Sequence, residues 1–210
     1  MDGYAVQFSD THACSTSYIV YQLLEALAGT DAIDQAMAES LYVGIMTDTG
    51  NFSFSSLTSD LFRAVAVLID KGVNVPYVNS SVYNNFSEGR MRLLGYMLND
   101  KMVTDYEFGV AYVSLTEEEM RRFDFIQGDS EGFVNYPLSI RGIRMSAMFI
   151  QTKHSIRVSL RSRGEVDVNV FARRYFDGGG HRNAAGGKSY VPMNETLENF
   201  RKYLREYFGA

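Results

Sequence analysis

Apolar residues recur at helical spacing twice near the start of the chain. In STSYIVYQLLEALAG, residues 15–29, Ile19, Val20, Leu23, Leu24 and Leu27 share one helical face, between cap-type hydroxyls at Ser15 and Thr16 and a terminating Gly29. The design returns in TSDLFRAVAVLIDKG, residues 58–72, with Ser59 as cap, Leu61, Phe62, Val65, Leu68 and Ile69 as the stripe, and Gly72 as the stop. Between them the pattern predicts a helix from about Asp31 to Ser40 and a short buried strand, Leu41–Met46; a further strand is read in Tyr4–Phe8. Helix and strand alternate as in α/β architecture. Two strands are few for so many amphipathic helices, so two readings stay open: the chain assembles with something else, or residues 1–82 are the later part of a unit whose first strands lie elsewhere.

After Pro76 the spacing changes. SSVYNNFSEGRMRLLGYMLNDKMV predicts a helix with Met91, Leu94, Met97 and Leu98 turned inward, bridging two domains as a linker over residues 83–102. Strands then come in pairs: a hairpin over 101–115 turning at Glu107–Gly109, and a second pair over 143–162 around Lys153 and His154. A short capped helix at TEEEMRRF, a helix strained by Pro137 and a closing helix from Asn194 complete residues 103–210, an α+β domain with a mixed or antiparallel sheet.

Composition narrows the class. No apolar run approaches the roughly 18 residues that span a bilayer, and a lone Cys14 supports neither a disulfide framework nor a cysteine zinc site. A cytoplasmic protein is expected. The net charge of -5 argues against a general duplex binder. Residues 153–188 depart from that balance, with eight Lys or Arg against three acids. A local anion site and a solvated basic face both fit that excess.

Candidate chemistry clusters in the same stretch. In FDGGGHRNAAGG, residues 176–187, Gly178, Gly179 and Gly180 let backbone N–H groups approach a ligand, and HRNAAG is able to open a helical turn whose free N–H groups favour an anion. His181 adds a ring N–H donor and Arg182 a permanent charge; a plain structural turn is the competing reading. Upstream, RVSLRSR alternates along a strand: Arg157, Ser159, Arg161 and Arg163 lie on one face, Val158, Leu160 and Ser162 on the other. Arg161 is suited to fork onto a phosphate, with Ser159 or Ser162 donating beside it; an exposed polar face fits the same pattern. Asp48 in MTDTGNF stands at the expected carboxyl end of a strand, where α/β folds place ligands, as a candidate metal ligand or a turn-forming residue. An aspartic protease would need a second Asp-Thr-Gly, and one copy is present.

Taken in order, STSYIVYQLLEAL, YVGIMTDTGNFSF, VSLRSR and GGGHRNAAGG resemble the DHH/DHHA1 phosphoesterase family, including its nano-RNase and exopolyphosphatase-related branches. The resemblance covers essentially the whole chain. It implies the C-terminal part of a parallel-sheet DHH domain over residues 1–82, followed by an α+β DHHA1 substrate-binding domain, with Asp48 as a ligand to one of two Mn²⁺ ions and as a catalytic residue. It also implies that Gly178, Gly179, Gly180, His181 and Arg182 form the substrate loop, that Arg161 and Ser162 bind nucleotide or phosphate, and that His181 assists catalysis. Hydrolysis would follow from a metal-bridging hydroxide. The implied substrates are short RNA or DNA oligonucleotides or a nucleoside bisphosphate such as 3′-phosphoadenosine 5′-phosphate; the oligomeric state, monomer or homodimer, stays open. The Asp-His-His that names the family does not occur in the 210 residues, so the chain alone is expected to be weak or inactive. A non-catalytic nucleotide- or RNA-binding module is the alternative.

Overall fold

A computed structural model describes residues 7–10, 12–53 and 57–209. The chain divides into two compact units, Met1–Asn85 and Phe86–Ala210.

Among its described residues the first unit is helical: α1 (Thr16–Ala28), α2 (Gln35–Asp48), α3 (Ser59–Asp70) and α4 (Val75–Tyr83). Side chains cap each start, with Ser15, Asp34, Thr58 and Asn74 accepting from backbone N–H groups of the first turn. The cap of α3 is thus Thr58, one residue before the expected Ser59. The expected strand at Leu41–Met46 is instead the second half of α2. Its buried residues, Ala38, Leu41, Tyr42, Ile45 and Met46, keep helical spacing, so the apolar run is the inner face of a helix begun by the Asp34 cap. Of the strand expected at Tyr4–Phe8, residues 4–6 lie outside the described residues, and Gln7 and Phe8 are not in a strand. The expected stripe of α1 is only partly turned inward: Ile19 and Leu24 are half-buried, with Leu24 against the core, whereas Val20, Leu23 and Leu27 are 41%, 49% and 77% exposed, and Tyr21 is the buried residue. The unit's core is built mainly from α2 and α3, with Leu61, Leu68, Ile45 and Met46 fully buried.

The second unit is a six-stranded mixed sheet with helices on both faces. The expected long helix at 80–103 is broken at residues 84–87; α5 (Glu88–Tyr96) starts afresh at its Ser87 cap and widens into a π turn over Met97–Lys101. Its buried residues include Arg90, Leu93 and Leu94, whereas Met91 is 52% exposed. The strands are β1 (Val103–Asp105), β2 (Val110–Leu115), β3 (Met145–Gln151), β4 (Ile156–Ser162), β5 (Gly179–His181) and β6 (Ala184–Ser189), in spatial order β1-β2-β3-β4-β6-β5. All pairs are antiparallel except β2 with β3. The crossover between those two carries α6 (Glu117–Arg121) and a 3₁₀ helix, Phe133–Ser139, which accommodates Pro137 where an α-helix was expected.

Strand alternation divides the sheet into two faces. On one, Tyr112, Phe149, Val158, Leu160 and Ala185 pack against α7 (Val168–Tyr175) and α8 (Met193–Leu204) through Phe171, Phe176, Phe200 and Leu204. On the other, Val113, Leu115, Met148 and Ile150 are covered by Leu93, Met97, Phe133 and Val134. That cover lies over β2 and β3; β4 and β6 carry Arg157, Ser159, Arg161 and Lys188 on this face.

Candidate functional site

The register of β3, β4, β6 and β5 assembles the site. Ser146 of β3 stands opposite Arg161 of β4, Arg161 opposite Ala184 of β6, and Ala184 opposite His181 of β5. Arg161 and His181, twenty residues apart in sequence, therefore occupy one cross-strand row, two strand spacings or about 10 Å apart. In the next row Ser159 faces Gly186, and beyond it Arg157 faces Lys188. Small residues at Ala184 and Gly186 leave a low floor between the basic side chains.

Arg161 is half-buried, and its side-chain hydrogen bond among the described residues runs from Nη1 back to the Leu160 carbonyl at 2.9 Å. No carboxylate forms an ion pair with it among those residues. Burial pulls its pKa below the ordinary arginine value, opposed by the field of Glu131. A half-buried guanidinium with no carboxylate in direct contact is stabilised by an anionic ligand. Arg157, more exposed, donates from Nη2 to Ser130 Oγ at 3.0 Å.

Ser162 lies on the opposite face, as its strand position predicts. Its hydroxyl donates to the Val166 carbonyl at 2.7 Å and accepts from Asn183 Nδ2 at 2.9 Å. Ser159, not Ser162, accompanies Arg161. Arg182 is exposed and pairs with Glu165. The hairpin tip is held to its neighbours, because the Asn183 carbonyl accepts from Ser162 N–H at 3.0 Å and the Arg182 carbonyl from Val168 N–H at 2.8 Å.

The glycine loop forms no helical turn. Gly179–His181 is an edge strand paired with β6, and the helix start nearby, that of α7, is closed by the Asp167 side chain. The glycines serve close backbone approach: a Cβ on Gly178 would stand 2.0 Å from the Gly186 carbonyl oxygen, and one on Gly180, at φ +154°, 2.5 Å from that of Ala184. Asn169 was not legible as a site residue. Its Oδ1 accepts from Gly180 N–H and from Arg173 Nε, both at 3.0 Å, tying α7 to the hairpin; the polar residue two positions after the Asp167 cap was its only sequence trace. His181 is exposed, and its ring makes no hydrogen bond among the described residues.

Asp48 belongs to the first unit. It ends α2 rather than a strand, and it is exposed. Its Oδ2 accepts from Ser15 Oγ at 2.7 Å, so the residue that caps α1 also holds the carboxylate. Thr49 follows, fully buried, donating from Oγ1 to the Ile45 carbonyl at 2.7 Å. Gly50, Asn51 and Phe52 then take φ of 57°, 55° and 59°. Consecutive left-handed residues ending in a bulky aromatic store strain of the kind that clusters at functional sites. A carboxylate at a helix C-terminus adds to the negative end of the dipole and so favours a cation. Among the described residues no three His, Cys, Asp or Glu side chains come together as a metal-binding group.

The chain is 31% identical over 185 residues to a bifunctional oligoribonuclease and PAP phosphatase of Bacillus subtilis, covering 86% of this chain and 56% of that protein. It is 28% identical over 208 residues to a cyclic-di-AMP phosphodiesterase of the same bacterium, covering 96% of this chain and 30% of that one. Among solved structures, an exopolyphosphatase-related protein from Bacteroides fragilis matches with a TM-score of 0.94 at 38% identity, over 99% of this chain and 61% of that chain. The chain thus spans less than two thirds of the length of each of these relatives. The sequence model of the DHHA1 domain matches residues 106–210, the part that contains the whole Arg161–His181 row, and the chain belongs to the DHHA1 domain family.

Proposed function

We propose that this chain is the substrate-holding part of a metal-dependent phosphoesterase acting on short oligoribonucleotides and on 3′-phosphoadenosine 5′-phosphate. The observation that carries the reading is the half-buried Arg161 guanidinium, without a carboxylate partner among the described residues, in one sheet row with His181. The names of the relatives support the substrate class.

In this reading Arg161 forks onto phosphate oxygens and Ser159 offers a hydroxyl from the same face. Ala184 and Gly186 keep the strands low enough for a phosphate to lie on them. His181 donates from its ring to an oxygen as charge develops. Gly178–Gly180 act by keeping the hairpin backbone close, and Ser162 by holding the hairpin tip. The family's two Mn²⁺ ions would stabilise charge at phosphorus when bound. Asp48 suits one such ion, but a single exposed carboxylate does not hold two hard cations. The described residues therefore do not fit the metal pair.

Isothermal titration of the 210-residue chain with a 5′-phosphorylated RNA dinucleotide and with 3′-phosphoadenosine 5′-phosphate tests the reading. Arg161→Ala is expected to weaken binding by about 10-fold or more, the scale of a lost charge-assisted contact. Turnover with Mn²⁺ is expected to be slight. Unchanged affinity in Arg161→Ala overturns the assigned phosphate site; rapid hydrolysis by this chain overturns the judgement on its metal donors.

A further inference from the structure

Ser146 is the least expected polar residue in the sheet. It sits in β3 among Met145, Ala147 and Met148, is fully buried, and its Oγ has no hydrogen-bond partner among the described residues. Leaving a buried hydroxyl unpaired forfeits its hydration with nothing in return, so such groups require a reason. The register supplies one, because Ser146 is the residue directly opposite Arg161. Directly opposed residues of an antiparallel pair have Cβ atoms about 4.5–5.5 Å apart on the same face, within reach of an arginine fork. Arg161 for its part folds Nη1 back onto the carbonyl of its own strand neighbour, Leu160. Two incompletely satisfied groups thus stand side by side.

We infer that Ser146 is a positioning residue for Arg161: when an anion binds, the guanidinium leaves the Leu160 carbonyl, and Ser146 Oγ accepts one of its N–H groups while the remaining fork faces the ligand. Full burial of Ser146 agrees with this role, since the hydroxyl need not touch the ligand. The inference rests on the proposed phosphate site at Arg161. It adds that the site has a second, ligand-engaged arrangement built into the sheet.

The test is a mutant cycle on the 210-residue chain, with Ser146→Ala, Arg161→Lys, the double variant and Arg161→Ala. Binding of a 5′-phosphorylated RNA dinucleotide is measured by titration, and stability by thermal melting. Ser146→Ala is expected to weaken binding about 3–10-fold, while its melting temperature stays unchanged or rises because an unpaired buried hydroxyl has gone. In the Arg161→Lys background, where no planar fork exists to be held, Ser146→Ala is expected to have little further effect. Full affinity in Ser146→Ala, with affinity lost in Arg161→Ala, overturns the positioning role and leaves the phosphate site standing. Full affinity in Arg161→Ala overturns both. An equal loss from Ser146→Ala in either background, or a lowered melting temperature, assigns Ser146 to the fold alone and also overturns the inference.

Discussion

At the scale of the residue, the glycines of this chain divide by what surrounds them. Gly178 has the Gly186 carbonyl oxygen where a Cβ would stand, at 2.0 Å, and backbone cannot yield as a flexible side chain can. Gly178→Ala is expected to destabilise the second unit by about 1–3 kcal/mol, the range of overpacked sites, read as a lower urea midpoint. Gly95, inside α5, has nothing within 4 Å of a built Cβ and no positive φ. Gly95→Ala is expected to raise stability by about 0.5–1 kcal/mol, since it removes backbone freedom from the unfolded chain and adds no clash. The sequence marks both as glycine and cannot separate them. Alternation did separate Arg161 from Ser162, because a strand's two-residue period is local and survives any tertiary arrangement.

At the scale of the element, end signals were more legible than interiors. TEEEMRRF was read as a capped helix, and α6 carries a reciprocal capping box, Thr116 Oγ1 accepting from Glu119 N–H at 3.1 Å and Glu119 Oε2 from Thr116 N–H at 2.8 Å. Burial pushes the Glu119 carboxyl up, but hydrogen bonds from Lys101, Thr116 N–H and Tyr96, with the charge of Lys101, outweigh it and bring it down to about 2. A carboxyl depressed in the folded state contributes stability that is fully present above its unfolded value near 4.5 and is lost as pH falls toward 2. The stability gap between wild type and Glu119→Gln, measured by urea melts, is therefore expected to be constant from pH 7 to 5 and to shrink below 4.5. α2 was misread for the opposite reason. Leu41–Met46 taken alone is an apolar run that suits a strand or a buried helix, and the cap that decides between them lies upstream at Asp34. The glycine hairpin failed similarly: a flexible tract accepts either a helical turn or an edge strand, and pairing with β6 chooses the strand.

At the scale of the molecule, the hydrophobic clusters keep to their own units. The first is built from residues 14–83, and the three others contain only residues of Phe86–Ala210. A fragment of residues 86–210 is expected to fold alone, with a cooperative thermal transition by circular dichroism; a broad, non-cooperative loss of signal would contradict it. In the first unit, replacing the 77%-exposed Leu27 with Gln is expected to change stability by less than about 0.5 kcal/mol, although α1 reads as strongly amphipathic.

Helix and strand periods, caps and the two-face character of β4 are properties of short windows of chain, and the linear pattern was enough to reveal most of them. It was also enough to nominate Arg161, His181 and the glycine tract. Which part of an apolar face is covered, as the half-exposed stripe of α1 shows, depends on which neighbours arrive, and no local window contains that information. The same holds for the site: Ser146, Arg161, Ala184 and His181 become one row only through the pairing of four strands, and that register is a cooperative choice of the whole sheet.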